Sequence, residues 1–144
     1  MLITRKDSGS YEGFVYKLIK SLEDKLITDH LKMPNIGKYG CETYMGWCML
    51  KEVGLHRRID IKMYPRDHFA FAILYFTGSQ NFNRSMRLFA RNKSYSLTDH
   101  GLFPANRVRG ESVWKGKSIP CFTEEDIFKA LELEYKKPED RELG

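Results

Sequence analysis

The clearest strand pattern of the chain is Arg57-Arg58-Ile59-Asp60-Ile61-Lys62-Met63. Charged and apolar residues alternate along it, which predicts a β-strand with one polar and one apolar face. A single carboxylate, Asp60, stands among the cations of the polar face. Two interpretations stay open: a set of exposed ion pairs that adds little stability, or a metal-binding carboxylate on a rigid strand. One aspartate alone supplies too few oxygens for a two-ion catalytic site.

The residues before this strand predict the rest of a sheet and one helix. Residues 27–33 and 41–50 are expected to pair with residues 56–63 as an antiparallel sheet, and Leu2-Ile3-Thr4 has the composition of another short strand. Apolar residues recur at helical spacing over residues 11–25, which predicts an amphipathic helix that backs the sheet. The segment Pro34-Asn35-Ile36-Gly37 is predicted to interrupt the chain.

The residues after this strand predict a second, mainly helical region. One helix begins near Pro65 and Asp67 and ends at Gly78, and Ser79 caps the next. The expected buried stripes are Phe69, Ala72, Ile73 and Phe76 on the first helix, and Phe82, Met86, Phe89 and Ala90 on the second. Residues 95–122 predict a small hairpin with loops, and Thr123 caps a last helix with acids in its first turn. The predicted class is therefore α+β, with a boundary near Tyr64-Pro65.

Length and composition exclude several classes of protein. The chain has 144 residues, of which 42% are hydrophobic and 30% charged, enough for one compact domain or two small lobes with a real core. No apolar stretch reaches the length of a membrane span, and the N-terminus lacks the apolar core of a signal peptide. The three cysteines are scattered without a C-x-x-C spacing, which argues against structural zinc or a disulfide framework. We expect a reduced intracellular protein.

Charge is concentrated in the middle of the chain. Lysine and arginine together number 24 against 19 aspartates and glutamates, and residues 56–117 hold 12 of the basic and only 4 of the acidic residues. Eight of those 12 are arginines, whose planar guanidinium suits phosphates and base edges. This distribution favours a polyanion such as nucleic acid as the partner, and a solvated basic face stays the alternative.

The helix after Ser79 carries the second candidate site. Asn83, Arg87 and Arg91 recur every four residues along one face, beside Gln80 and Arg84. Asparagine, glutamine and arginine are side chains that donate to base acceptors in a minor groove, and the preceding aromatic pair at 75 and 76 could pack against a sugar. Solvation is the alternative for the arginines, although no acid lies three or four residues away along the stripe. Core packing is the alternative for the aromatics.

Three segments together resemble the family X DNA polymerases: His56-Arg57-Arg58-Ile59-Asp60-Ile61, Leu74-Tyr75-Phe76-Thr77-Gly78-Ser79 and Phe82-Asn83-Arg84-Ser85-Met86-Arg87. The resemblance covers nearly the whole chain. It implies a partial polymerase palm over residues 1–64, built on an antiparallel-rich sheet with one backing helix. It also implies a complete C-terminal thumb over residues 65–144, called fingers in the alternative convention.

The resemblance also implies roles for individual residues. Asp60 matches the third of the family's three metal-binding aspartates, the one that helps to deprotonate the primer 3′-hydroxyl, and Arg58 matches the arginine that orients it. The nucleotide-binding positions are Tyr75, Phe76, Thr77, Gly78 and Asn83, where the aromatic pair lines the sugar and the asparagine reads the base. Arg84 and Arg87 match residues against the templating strand, and Arg57 and Lys62 complete the implied DNA contacts.

The implied reaction is in-line attack of the primer 3′-oxygen on the α-phosphate of a deoxynucleoside triphosphate, with two Mg²⁺ or Mn²⁺ ions, during gap filling in base excision repair. The implied partners are primer–template or gapped DNA, and the implied state is a nuclear monomer without membrane contact. The family's other two aspartates would precede Met1, so we expect a truncated chain with an incomplete metal site and little activity. The alternatives are a non-catalytic DNA-binding module and a fragment that folds poorly.

Overall fold

The structure is a computed structural model that describes residues 1–7, 9, 12–108, 111–114 and 116–142. The chain separates into two compact units, Met1–Arg66 and Asp67–Gly144, and the division lies two residues beyond the boundary predicted at Tyr64-Pro65. Both units mix helices with mostly antiparallel strands, so the predicted α+β class is confirmed. Across the described part of the chain, no helix combines the length and the apolar character needed to cross a membrane.

The first unit is a four-stranded sheet with a helix on one face. Its strands are β1 (Leu2–Ile3), β2 (Ile27–Ile36), β3 (Glu42–Cys48) and β4 (Arg57–Met63), in the spatial order β1-β4-β3-β2. The short β1 runs parallel to β4, and the other neighbours are antiparallel. Helix α1 (Phe14–Leu22) packs Val15 and Ile19 against the apolar side of the sheet. This is the antiparallel sheet with a backing helix that the sequence predicts.

Helix α1 is shorter than the predicted span of residues 11–25, whose first residue lies outside the described residues. It begins at Phe14, where the buried carboxylate of Glu42 accepts hydrogen bonds from the backbone N–H of Gly13, at 3.0 Å, and of Val15, at 3.1 Å. A carboxylate at this end also opposes the positive end of the helix dipole. The start of the helix is therefore decided by a residue on β3, which helical periodicity cannot reveal.

The predicted interruption at Pro34-Asn35-Ile36-Gly37 is wrong for its first three residues, because β2 continues through Pro34 to Ile36. Proline removes one ladder donor and is tolerated on edge strands and at bulges. Strand β2 is at the edge of the sheet, and its pairing with β3 shifts register between Lys32 and Asn35. The edge position of β2 thus allows a proline within the strand, although local propensity disfavours proline there.

The second unit combines helices with a small antiparallel sheet. Its helices are α2 (Arg66–Thr77), α3 (Gln80–Asn92) and α4 (Glu124–Ala130), followed by a 3₁₀ helix over Pro138–Arg141. Strands β5 (Tyr95–Thr98), β6 (Gly101–Val108) and β7 (Glu111–Trp114) pair in sequence order, which is one strand more than the predicted hairpin. Thr123 caps α4 as predicted, in a reciprocal capping box with Asp126.

The buried face of α2 differs from the predicted stripe. The buried residues are Ala70, Phe71, Ala72 and Leu74, whereas Phe69 and Ile73 are only partly buried and Phe76 is exposed. Residues 69–76 contain almost no polar side chain, so their periodicity cannot select one face. Helix α3 has a strongly polar face, and its predicted stripe is confirmed at Phe82, Met86 and Ala90, with Phe89 partly buried.

Arg141, in the final 3₁₀ helix, packs into the core of the second unit. Its side chain is fully buried, and its guanidinium lies 5.5 Å from the ring centres of Phe82 and Phe128. Nη1 donates to Glu124 at 2.7 Å and Nε donates to the carbonyl of Lys136 at 3.0 Å. A buried charge requires such a partner, because desolvation without pairing is costly. Nothing in the local sequence pattern predicts this cluster.

Candidate functional site

One candidate region is the side of the first unit's sheet that faces away from α1. Directly opposed residues of an antiparallel pair point to the same side of a sheet. The pairs Thr43–Lys62, Met45–Asp60 and Trp47–Arg58 alternate with pairs that contribute to the α1 core, such as Tyr44–Ile61. We call the surface formed by these six side chains the Asp60 face. Its defining residues are Thr43, Met45, Trp47, Arg58, Asp60 and Lys62.

Asp60 and Arg58 are joined on this face. The Nε atom of Arg58 donates to Oδ1 of Asp60 at 2.9 Å, and both side chains are about half exposed. Such an exposed pair contributes little stability, but it fixes the direction of the carboxylate. Lys62 lies on the same face, whereas Arg57 opposes Cys48 and points to the other side of the sheet. The structure thus groups three of the four predicted site residues of this strand and separates Arg57 from them.

The Asp60 face by itself does not fit a two-ion metal centre. Such a centre needs several shared oxygen ligands, and Asp60 is the one carboxylate that β4 supplies. Among the residues that the structure describes, no three histidine, cysteine, aspartate or glutamate side chains form a group able to hold a metal ion. The chemistry that these residues support is the acceptance of a hydrogen bond by a carboxylate whose direction an arginine fixes.

The other candidate region is a cavity of about 550 Å³ in the second unit, at the junction of α2 and α3. This volume is in the range of sites for small molecules and cofactors. Every predicted nucleotide-binding residue lines it, together with the two predicted template-strand arginines. The lining residues are Tyr75, Phe76, Thr77, Gly78, Ser79, Gln80, Asn83, Arg84 and Arg87. We call this cavity the α2–α3 pocket.

The turn between the two helices shapes the pocket. Gly78 has a φ of +73°, a conformation that strains residues with a Cβ atom. Ser79 follows as the cap of α3, where its Oγ accepts the backbone N–H of Phe82 at 3.3 Å and donates to the carbonyl of Arg141 at 3.1 Å. The buried Arg141 therefore anchors the turn. Sequence reasoning missed this anchor, since 62 residues separate Ser79 from Arg141.

Polar groups from α3 are held against the aromatic pair. The amide nitrogen of Asn83 donates to the carbonyl of Tyr75 at 2.7 Å, and the guanidinium of Arg87 lies 4.9 Å from the centre of the Tyr75 ring. The rings of Tyr75 and Phe76 meet edge to face at 4.9 Å. Phe76 is 46% exposed, so the alternative that it packs in the core is wrong. The pocket therefore presents two accessible rings with an amide and guanidinium groups.

The buried Cys121 is not a candidate nucleophile. All three cysteines carry thiols rather than disulfides, and burial, assisted by the nearby Asp126, raises the pKa of the Cys121 thiol to about 11. Since the thiolate is the nucleophilic form, Cys121 is unreactive at neutral pH.

Comparison with known proteins connects both units to DNA polymerases. The family model of the DNA polymerase beta palm matches residues 1–66, and that of the DNA polymerase beta thumb matches residues 72–142. DNA polymerase lambda from Rattus norvegicus is 40% identical over 147 aligned residues, which cover 99% of this chain and 25% of the relative. DNA polymerase lambda from Arabidopsis thaliana is 35% identical over 152 residues, covering 99% of this chain and 28% of the relative. The chain spans about a quarter of the length of these curated relatives.

Proposed function

Because the chain belongs to the family X DNA polymerases, we propose that it is the palm–thumb portion of a DNA-directed repair polymerase that acts on primed or gapped DNA. The observation that carries this proposal is the α2–α3 pocket. In one cavity it combines two exposed aromatic rings, the amides of Gln80 and Asn83 and two guanidinium groups, which can stack on, hydrogen-bond to and attract a nucleotide or a DNA strand. A deoxynucleoside triphosphate is the proposed small-molecule partner.

Nucleotide recognition follows from the way the pocket is held. Tyr75 and Phe76 offer ring surfaces to the sugar, Gly78 has no side chain and allows the sugar to approach the backbone closely, and Thr77 completes this part of the lining. The Asn83 amide has two N–H donors, of which the carbonyl of Tyr75 takes one. We assign the second donor to an acceptor on the minor-groove edge of the incoming base.

DNA binding is assigned to the cations. Arg84 and Arg87 contact the templating strand, while Lys62 and Arg57 contribute to phosphate binding from the two sides of the first unit's sheet. Each phosphate that a cation neutralises releases counterions, so affinity falls as salt rises.

Asp60 is assigned to the primer end. Its carboxylate, oriented by Arg58, accepts the hydrogen bond of the primer 3′-hydroxyl. The 3′-oxygen attacks the α-phosphate of the deoxynucleoside triphosphate, the bond from that phosphorus to the bridging oxygen breaks, and pyrophosphate leaves. Mg²⁺ or Mn²⁺ is the proposed cofactor of the complete polymerase. Since the described residues do not fit a two-ion centre, we propose that the 144-residue polypeptide alone binds DNA but does not extend primers. Its proposed setting is the nucleus, as a monomer, in base excision repair.

The test combines primer extension with DNA binding by the 144-residue polypeptide. We expect no extension in Mg²⁺ or Mn²⁺, but binding to single-nucleotide-gapped DNA that weakens linearly on a log–log plot against salt. Arg87→Ala should weaken binding and reduce the salt slope by about one unit. Lys129→Ala, which removes an exposed cation of α4 outside the pocket, is the matched control and should leave both unchanged.

Three outcomes would count against parts of this proposal. Robust metal-dependent extension would overturn the predicted inactivity. Equal losses from Arg87→Ala and Lys129→Ala would overturn the α2–α3 pocket as the DNA contact. A non-catalytic DNA-binding module would bind gapped DNA equally well with and without a complementary deoxynucleoside triphosphate. The polymerase assignment predicts tighter binding with the complementary nucleotide than with a mismatched one, and loss of this difference in Asn83→Ala.

A further inference from the structure

We propose that Trp47 is a stacking platform for the terminal nucleotides of the primer strand, beside Asp60 on the Asp60 face. The inference rests on the proposed function, because it places the primer end at Asp60. Trp47 is neither a charged residue nor part of the motifs that indicated the candidate site. It is assigned here from its position in the sheet, its exposure and the charges around it.

The register of the sheet brings Trp47 close to the Asp60–Arg58 pair. Trp47 on β3 directly opposes Arg58 on β4, and Met45 directly opposes Asp60. Opposed residues are neighbours on one face, and diagonal positions such as Trp47 and Asp60 have Cα atoms about 7–8 Å apart, within reach of an aromatic side chain. When the 3′-hydroxyl of a primer reaches the Asp60 carboxylate, the indole of Trp47 therefore lies close to the terminal nucleotide.

The exposure of Trp47 is imposed by the fold. The side chain is 37% exposed although β3 is an interior strand of the sheet, and tryptophan is usually well buried. A one-residue slip that buried Trp47 would remove Tyr44 from the core, where this residue is fully buried. Gly46 reinforces the register, because a Cβ atom there would lie 2.1 Å from the Tyr44 hydroxyl. The chain thus holds a large aromatic ring on the outward face.

The surrounding charges favour a nucleic acid strand as the occupant. Arg58 and Lys62 lie on the Asp60 face, and Lys32 opposes Met45 on the neighbouring β2. The carboxylates nearby are Asp60, which pairs with Arg58, and Asp29, which opposes Trp47 and accepts the backbone N–H of His30 at 2.8 Å. An aromatic ring flanked by cations offers a nucleotide a surface for stacking and attracts the phosphates beside it.

The experiment uses the fluorescence of Trp47 in the full chain. Trp114→Phe removes the other of the two tryptophans, so the emission then reports Trp47 alone. The variant is titrated with a DNA hairpin whose 3′ end is recessed, and with the same hairpin filled to a blunt end, while anisotropy of a labelled DNA measures binding independently. We expect the recessed end to quench the indole emission strongly and the blunt end to quench it weakly.

Substitutions at the same position measure the contribution of stacking. Trp47→Leu should weaken binding of the recessed-end DNA by about 5- to 150-fold, which corresponds to the stacking of one base. Trp47→Phe keeps a ring and should stay close to the original affinity. Tyr16→Leu removes an exposed ring from α1, which packs on the opposite side of the sheet, and should change nothing. Far-UV circular dichroism confirms that each variant is folded. If Trp47→Leu fails to fold, the quenching of Trp47 emission in Trp114→Phe alone decides whether the indole contacts the primer end.

The outcomes separate this inference from the proposed function. If anisotropy shows DNA binding that Arg87→Ala weakens, but Trp47 emission does not change, the assignment of Trp47 as a stacking platform is wrong and the proposed function stands. If the chain binds no DNA, both fall. If Trp47 emission responds to protein concentration without DNA, a second copy of the chain covers this face and the assignment to DNA is overturned.

Discussion

The two units present their candidate sites in different ways. In the second unit, the α2–α3 pocket is built from one continuous stretch, residues 75–87, folded over a single turn between two helices. In the first unit, the Asp60 face is assembled from β3 and β4, whose opposed residues are 11–19 positions apart in sequence. A site on one turn is encoded locally, whereas a site across strands exists only in the correct register. Each unit also depends on a residue distant in sequence, Arg141 at the start of α3 and Glu42 at the start of α1, and substitutions at these contacts test that dependence.

The largest effect is expected from Glu124→Ala in the second unit. The substitution leaves the fully buried Arg141 without its carboxylate partner, and breaking a buried pair in this way costs about 3–5 kcal/mol. We expect a correspondingly lower free energy of unfolding, measured by urea denaturation. Hydrogen exchange should become faster in residues 79–92, because Arg141 also holds Ser79 at the start of α3.

Glu125→Ala is the matched control, since it removes a neighbouring and exposed acid from the same turn of α4. If Glu124→Ala and Glu125→Ala lowered the free energy of unfolding equally, the buried Glu124–Arg141 pair would contribute no more stability than an exposed acid. Replacement of both Glu124 and Arg141 by apolar residues should cost less than Glu124→Ala alone, because no charge is then left buried without a partner.

A smaller effect is expected from Glu42→Ala in the first unit. The change leaves the N–H groups of Gly13 and Val15 without their acceptor at the start of α1. An unsatisfied buried donor costs about 1–3 kcal/mol. We expect hydrogen exchange to accelerate in residues 14–22, while residues 57–63, which are paired in the sheet, change less.

Glu42→Gln keeps an acceptor oxygen, so it should reduce the hydrogen-exchange protection of α1 less than Glu42→Ala does. Glu52→Ala, in an exposed turn, should leave this protection almost unchanged. If α1 keeps its protection in Glu42→Ala, the helix starts for local reasons, and the contrast drawn between the two units is weakened.

The smallest change in stability is expected at low pH, when Asp126 in the capping box of α4 becomes protonated. Hydrogen bonds from the backbone N–H of Phe122 and Thr123 lower the pKa of Asp126 below 3.8. A folded-state pKa below the unfolded value gives stability that is present above the unfolded pKa and is lost as pH falls through the folded pKa. The loss should begin near pH 4 and continue below it.

Asp126→Asn keeps a hydrogen-bond acceptor but cannot titrate, so its melting temperature should fall less steeply than that of the original chain between about pH 4 and pH 2. Glu125→Gln serves as the comparison, because Glu125 is an exposed acid of the same turn outside the capping box. Identical slopes for the original chain and Asp126→Asn would contradict the assignment.

The local signals of the sequence were sufficient for much of the fold. Ser79 and Thr123 were predicted as helix caps and act as such, since a hydroxyl followed by a helical pattern needs no distant contact. The strand at 57–63 follows from its alternation alone. The buried face of α2 could not be predicted, because apolar residues surround most of that helix. The continuation of β2 through Pro34 depended on that strand lying at the edge of the sheet.

Residue identity and short spacing account for the chemical groups of both candidate sites, because the aromatic–amide–guanidinium stretch from Tyr75 to Arg87 and the carboxylate of Asp60 are visible along the chain. Tertiary structure decided which side chains share a surface. Pairing of β3 with β4 placed Trp47 beside Arg58 and turned Arg57 to the other side, and the fold buried Arg141 beneath the turn that starts α3. The physical reason is that identity and spacing act along the chain, whereas register and burial depend on residues far apart in sequence.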